Sequence, residues 1–256
     1  MTETIDAARL TIMLNDLRLP AIKQDWAAFA ARADKESWPA ARLLASLAEH
    51  EIAERDRRRL ARHLIEVQLL PSKTLDSFDF SVVPMVSKAH VLAICAGDSW
   101  INKGANLILI GGPGGGKTHL ASAIGLALVE NGWRVLFTRT SDLVQRLQAA
   151  RRELALEAAI NRLDRFDLLI LDDLAYVSKD QAETSVLFEL ISTRYERRTT
   201  LITANQPFGA WGQVFPDPVM TFAAVERKNK GAGRPQSYAT IKDLDPMSRP
   251  DNQTQT

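Results

Sequence analysis

The sequence predicts an α/β fold in which a parallel sheet is flanked by helices and preceded by a small all-α region. From about residue 106, short apolar runs that suit buried strands alternate with segments of helical periodicity. Such alternation is typical of a parallel sheet covered by helices. Before residue 70, apolar residues recur at helical spacing. The chain has 256 residues, of which 46% are hydrophobic, so it is neither disordered nor collagen-like.

Residues 1–70 form the predicted all-α region. Pro20 and Pro39 stand where they would separate one helix from the next, because proline is tolerated in the first turn of a helix but not in its interior. The apolar residues at helical spacing include Leu10, Met13, Leu14, Leu17, Leu60, Leu64 and Val67.

Residues 71–225 hold the predicted sheet domain. We expect strands over residues 106–110, 134–138, 168–171 and 200–203, and helices over 117–131, from 141 onward and over 180–195. A shorter helical pattern covers about 85–96. The helix from residue 141 carries one apolar stripe, made by Leu143, Leu147, Ala150 and Leu154.

Residues 226–256 change in character. This segment holds three prolines, two glycines, scattered basic residues and a polar end. Such a composition buries too little apolar surface to order itself. We therefore expect a mostly disordered tail.

The charges of the whole chain nearly cancel. There are 32 Lys and Arg against 31 Asp and Glu, a formal net charge of +1, so bulk charge does not indicate a nucleic-acid partner. The N-terminal residues show no targeting pattern, and the longest apolar runs are too short to cross a bilayer. We expect a cytoplasmic protein with no membrane partner, in which the single cysteine, Cys95, has a buried structural role.

A glycine-rich segment between the first predicted strand and the next helix matches G-x-x-x-x-G-K-[ST]. Its backbone N–H groups and the helix N-terminus suit phosphate oxygens. Lys117 can reach the β- and γ-phosphates, and the Thr118 hydroxyl can ligate Mg²⁺. The alternative is a glycine-rich turn that binds nothing. The predicted nucleotide-contacting residues are Gly111, Gly112, Pro113, Gly114, Gly115, Gly116, Lys117, Thr118 and His119.

Polar side chains follow the third and fourth predicted strands. The apolar run 168–171 ends in Asp172 and Asp173, of which the first suits Mg²⁺ and the second suits the attacking water. A solvated acidic turn is the alternative. Asn205 follows the next strand, where it can contact the γ-phosphate or the same water, or simply cap a turn.

These motifs, in this order, resemble those of the AAA+ ATPases of the initiator and helicase-loader group, and more closely those of the IstB-like ATP-binding proteins. The resemblance covers about residues 5–225. It implies an ATP-dependent helper of a transposase, encoded in a bacterial insertion sequence, which binds DNA and forms a multimer. The segments that carry it are 75–80 (LDSFDF), 111–120 (GGPGGGKTHL), 168–173 (LLILDD), 194–198 (RYERR), 203–207 (TANQP) and 211–220 (WGQVFPDPVM).

The resemblance also implies roles for single residues. Lys117 and Thr118 become the nucleotide-contacting pair, Asp172 the magnesium-site acid, Asp173 the catalytic carboxylate and Asn205 the sensor-1 residue. Residues 75–80 correspond to a segment that packs near the adenine, although a hydrophobic patch that closes the domain explains them equally well.

The pattern departs from the family after Arg227. The family continues with a His-containing helix and a final strand that complete a lid, whereas this chain passes to a polar segment. Arg227 matches the family's candidate arginine finger, which would reach the γ-phosphate of a neighbouring subunit. It is equally well the first residue of a basic tail. A missing lid would impair hydrolysis even where ATP binding survives.

Five arginines crowd one predicted helix beside Glu54 and Asp56. They outnumber these two acids, so contact with DNA phosphates is one interpretation. The other is a solvated helix face with ion pairs, including Glu51 with Arg55. The candidates are Arg55, Arg57, Arg58, Arg59 and Arg62.

Taken together, the residues and the resemblance predict an ATP- and Mg²⁺-dependent helper that forms a homo-oligomer on double-stranded DNA, largely without regard to its sequence. Its partner would be the transposase of the same element, and residues 1–70 would contact DNA or that partner. A replicative helicase loader and a non-hydrolysing DNA-binding scaffold are the alternatives. A small-molecule kinase is a more distant one, because no acceptor-binding residues are evident.

Overall fold

The structure, a computed structural model, describes residues 2–69, 72–174, 181–195, 197–205 and 238–241. The chain divides into two compact units, residues 1–62 and 63–256. This boundary lies before the predicted one at residues 70 and 71. The reason is that Val67 belongs to the second unit, where its carbonyl accepts a hydrogen bond from Phe137 N–H (2.9 Å).

The first unit is helical, as predicted. It comprises α1 (Thr2–Asp16), α2 (Pro20–Lys35) and most of α3 (Ala40–Glu66). Pro20 occupies the first turn of α2, and Pro39 directly precedes α3. Both prolines therefore separate helices at the predicted places, because neither has to supply an N–H to a helix interior.

Glu51 of α3 holds the start of α2. Its side chain is 4% exposed and accepts hydrogen bonds from Ala21 N–H (2.8 Å) and Ile22 N–H (3.1 Å). No side chain caps α2 locally, so Glu51 supplies the acceptor that the first turn of a helix needs. Burial alone would raise the pKa of Glu51, but hydrogen bonds from the two amides and from Arg55 keep this pKa below its ordinary value.

The second unit contains a five-stranded parallel sheet in the order β2-β3-β4-β1-β5. The first four strands confirm the predicted ones to within one residue at either end. The strands are β1 (Asn106–Ile110), β2 (Val135–Arg139), β3 (Leu168–Asp172), β4 (Thr199–Ala204) and β5 (Tyr238–Ile241).

The helices of this unit are α4 (Lys88–Ala96), α5 (Lys117–Glu130), α6 (Thr140–Arg152), α7 (Leu156–Leu163) and α8 (Gln181–Arg194), with a short 3-10 helix at Ile101–Lys103. Cys95 of α4 is buried, and burial raises its pKa to about 11, as suits a structural thiol. Among the described helices of both units, none is long and apolar enough to cross a membrane.

Helices cover both faces of the sheet. Gly125 of α5 lies so near β3 that a Cβ atom there would be 2.7 Å from Ile170 Cδ1. Leu169 and Leu171 instead join one core cluster with residues of α6, α7 and α8. Because successive strand residues point to opposite faces, α5 covers one face and α6–α8 the other.

The prediction of one continuous helix beyond residue 141 is wrong at Leu154. Helix α6 ends at Arg152, and Leu154 adopts a left-handed conformation (φ 55°) with 97% of its surface exposed. Left-handed residues that end helices are usually Gly or Asn, so the sequence gives no stop signal here. Leu154 has the spacing of the apolar stripe by coincidence, although it lies in the turn between α6 and α7.

The prediction of a disordered tail is wrong for residues 238–241. These form β5, which pairs in parallel with β1 from Asn106 to Leu109. Tyr, Thr and Ile favour strands, but the ordering comes from backbone pairing with a distant segment, which composition does not reveal. The rest of the predicted tail, including Arg227, lies outside the described residues.

Arg194 lies at the end of the sheet where the strands begin, opposite their carboxyl ends. Its fully buried guanidinium donates to three carbonyl oxygens, those of Leu163 (2.8 Å), Phe166 (3.0 Å) and Thr199 (3.0 Å). Burial lowers its pKa to about 10, so the side chain stays charged at neutral pH. Arg194 therefore has a structural role, in which it ties the segments that lead into β3 and β4.

Replacing Glu51 with Ala should speed hydrogen exchange at the Ala21 and Ile22 amides, because both lose a buried acceptor. We expect local opening to become easier by about 1–3 kcal/mol. The folded-state pKa of Glu51 is lowered. Acidification through that pKa should therefore also make local opening easier, which appears as lower protection factors at the two amides. Exchange is measured on the full chain, with Glu49→Ala at an exposed position of α3 as the control. Unchanged exchange in the Glu51 variant would contradict the capping role.

Candidate nucleotide-binding site

The glycine-rich loop, residues 111–116, joins β1 to the N-terminus of α5. Gly116 has a φ of +77°, and a Cβ atom there would lie 3.0 Å from Phe78 Cε2. Both the conformation and the space therefore require glycine at this position. The loop presents the N-terminal end of a 14-residue helix, whose N–H groups and partial positive charge attract anions.

Lys117, the first residue of α5, lies along this loop. Its ammonium group donates to Gly111 O (2.8 Å) and Gly112 O (2.7 Å). The side chain is largely buried, and this burial lowers its pKa, against the opposing influence of the charges on Asp173 and Asp172. A cation is thus held at the loop that the sequence predicts to surround phosphates.

Thr118 and Asp172, the two predicted magnesium ligands, are in contact. The Thr118 hydroxyl lies 3.0 and 3.1 Å from the two carboxylate oxygens of Asp172. These residues come from α5 and from the end of β3, which are 54 positions apart. Mg²⁺ prefers hard oxygen ligands and is usually held by one or two protein side chains together with phosphates. The hydroxyl and the carboxylate therefore fit this ion.

Asp173 and Asn205 also meet, at the ends of neighbouring strands. Asn205 Nδ2 donates to Asp173 Oδ1 (3.2 Å). Burial and the negative charge of Asp172 raise the pKa of Asp173, against the opposing effects of Lys117, Arg139 and the hydrogen bond from Asn205. A raised pKa makes a carboxylate a better proton acceptor, which agrees with the predicted role of this residue.

A cleft of about 350 Å³ brings most of the predicted residues together. Lys73 also lines the cleft and was not predicted, because nothing in its local sequence distinguishes it from other lysines. Gly112, Gly115 and Asp172 do not line the cleft but are each next in sequence to a residue that does, and Gly111 contacts the lining residue Lys117 through its carbonyl. The lining residues are Lys73, Pro113, Gly114, Gly116, Lys117, Thr118, His119, Asp173 and Asn205.

His119 fastens the segment 74–78 to α5. Its Nε2 lies 3.0 Å from both Thr74 O and Ser77 Oγ, and its ring meets Phe78 edge-on at 5.3 Å. Phe78 is itself buried. The predicted nucleotide-contacting histidine thus lines the cleft and also holds the segment that the family resemblance sets near the adenine.

The five candidate arginines lie on α3, and four of them form ion pairs with acidic residues of the same helix. Arg62 instead donates weakly to the Arg58 carbonyl (3.4 Å). The charge excess is therefore smaller than the comparison with two acids suggests, because Glu51 forms ion pairs with two arginines. The pairs are Arg55–Glu51 (2.9 Å), Arg58–Glu51 (3.5 Å), Arg57–Glu54 (2.6 Å) and Arg59–Asp56 (3.3 Å).

Sequence comparison identifies the family. The model of the IstB-like ATP binding proteins matches residues 12–231. The chain belongs to this family. An insertion-sequence ATP-binding protein of Sinorhizobium fredii is 73% identical over 224 residues, which span 88% of this chain and 75% of that protein. The ATP-binding protein of insertion sequence IS21 from Pseudomonas aeruginosa is 32% identical over 218 residues, 85% of this chain and 82% of that protein.

Structural comparison agrees on the fold of this IstB-like chain. The crystal structure of the DnaC helicase loader matches with a TM-score of 0.54 at 22% identity, covering 67% of this chain and 96% of the loader. The predicted fold, a parallel sheet with flanking helices and a glycine-rich loop after β1, is therefore confirmed.

Proposed function

We propose that this IstB-like chain binds and hydrolyses ATP with Mg²⁺, and that it assembles on double-stranded DNA as a helper of the transposase of its own insertion sequence. The observation that carries the ATPase proposal is the contact of Thr118 with Asp172, beside the contact of Asp173 with Asn205. The names of the relatives support the insertion-sequence context.

Phosphate binding rests on the loop 111–116 and on Lys117. The N-terminus of α5 and the loop N–H groups supply partial positive charge, and Lys117 supplies a full one. The lysine ammonium donates to two backbone carbonyls. Phosphate oxygens are stronger acceptors and would replace them. Binding a triphosphate would therefore exchange neutral hydrogen bonds for charged ones.

Thr118 and Asp172 are the residues that would hold Mg²⁺. When bound, this ion neutralises charge on the β- and γ-phosphates. Asp173 lies in the cleft, where its Oδ1 accepts from Asn205. Among the described residues no donor contacts Asp173 Oδ2, so this oxygen is available to orient water and to accept its proton.

Assembly on DNA rests on the first unit and on Arg227. Arg59 and Arg62 lie near the C-terminal end of this unit, and their side chains do not take part in the capping of α2. Contacts from such residues to phosphates would give binding that depends on salt and not on base sequence. Arg227, outside the described residues, is the candidate for a contact with the γ-phosphate of a neighbouring subunit.

Replacing Asp173 with Asn should leave ATP binding intact and slow phosphate release by about 10²–10⁴-fold, because the proton acceptor is lost. Lys117→Ala should abolish nucleotide binding. Sedimentation with ATP and duplex DNA should show a multimer for the wild type and for the Asp173 variant, but not for the Lys117 variant.

Three results would contradict this proposal. Phosphate release by the Asp173 variant at the wild-type rate would remove Asp173 from catalysis. Multimers of equal size with and without ATP and DNA would exclude nucleotide-dependent assembly. Capture of a replicative helicase, with no effect on strand transfer by the transposase, would favour the helicase-loader function.

Replacing Arg59 and Arg62 together with Ala should weaken DNA binding and reduce the slope of log affinity against log salt by roughly 2, about one for each lost phosphate contact. Fluorescence anisotropy across a salt series measures both quantities. Arg32→Ala, which removes an exposed ion-paired arginine from α2 of the same unit, is the control for charge. An unchanged slope in the double variant would exclude these two arginines from the interface.

A further inference from the structure

We propose that Thr203 of β4 is a positioning residue that sets the geometry of both active-site acids. This inference rests on the proposed ATPase function. The Thr203 side chain is 1% exposed. Its hydroxyl donates to Asp172 Oδ1 (2.7 Å) and accepts from Asp173 N–H (2.8 Å). A single hydroxyl therefore contacts the carboxylate of one acid and the backbone of the next.

The two hydrogen bonds can have only one direction. A backbone N–H is a donor only, so the Thr203 oxygen must accept from Asp173. The single hydroxyl proton is then left for the carboxylate of Asp172, which as an anion is an acceptor only. This arrangement holds the Asp172 side chain in one orientation, in which Thr118 is its other hydroxyl partner.

Asp173 has an unusual backbone conformation that the same hydroxyl stabilises. Its φ is +64°, in the left-handed region that few non-glycine residues adopt. Such conformations persist where surrounding contacts hold them, and they are common at functional sites. The acceptor on Asp173 N–H is one such contact, and the resulting turn brings the Asp173 side chain to the cleft.

Both acids are thus contacted by residues of β4 or next to it. Thr203 contacts both acids, and Asn205 contacts the Asp173 side chain. Thr203 lies in β4, and Asn205 directly follows Ala204, the last residue of that strand. Asn205 lines the cleft together with Asp173, whereas Thr203 is not among the lining residues. Thr203 therefore acts through the acids and does not itself reach a substrate.

Replacing Thr203 with Val keeps the shape of the side chain and removes the hydroxyl. We expect kcat for ATP hydrolysis to fall by about 10- to 100-fold, as for a misplaced catalytic group. The affinity for a fluorescent ATP analogue in EDTA, which depends on the loop and Lys117, should not change. The gain in affinity on adding Mg²⁺ should shrink, because Asp172 loses its orientation.

Two matched variants separate the hydroxyl from packing. Thr203→Ser restores the hydroxyl and should recover most of the turnover and of the Mg²⁺-dependent affinity. Thr200→Val makes the same exchange at another buried position of β4, away from the acids, and should behave as the wild type.

The proposal is overturned by any of three results. They are wild-type turnover and Mg²⁺ response in Thr203→Val, equal losses in Thr203→Ser and Thr203→Val, and loss of nucleotide binding in EDTA in Thr203→Val. If the wild type releases no phosphate, the ATPase proposal fails, and the Mg²⁺-dependent affinity of the same variants still tests Thr203.

Discussion

The site depends on one constraint, the position of β4 between β1 and β3. The glycine-rich loop follows β1 and the acids follow β3, so the hydrogen bond from Thr118 to Asp172 spans the end of an intervening strand. That strand, β4, carries Thr203 and leads to Asn205, the partners of the two acids. Loop, acids and amide therefore come together only when three parallel strands have paired in the correct order.

Much of this arrangement is predictable from the sequence because its signals are local. Apolar runs bounded by polar residues locate β1 to β4, and the loop motif lies between a strand and a helix, as its phosphate chemistry requires. Carboxyl ends of parallel strands share one sheet edge. That rule places the loop, the two acids and Asn205 at the same end of the sheet, but their contact also requires β4 to lie between β1 and β3, an order that the local signals do not reveal.

The features that sequence reasoning missed depend on contacts between distant segments. β5 is ordered by pairing with β1, and Lys73 reaches the cleft because His119 holds the neighbouring residues. In the sequence, Thr203 is indistinguishable from other β-branched residues of a strand, because its contacts with Asp172 and Asp173 come from the end of a neighbouring strand. The sequence leaves open whether the arginines of α3 are paired, and the structure shows that Glu51 forms ion pairs with two of them while it caps α2.

An experimental structure of the chain with a non-hydrolysable ATP analogue and Mg²⁺ is the most direct test of the site. We expect the β- and γ-phosphates within the loop 111–116, the Lys117 ammonium on phosphate oxygens instead of the Gly111 and Gly112 carbonyls, and one ion near Thr118 and Asp172. A structure in which the phosphates lie outside the loop while Lys117 stays on both carbonyls would contradict this account.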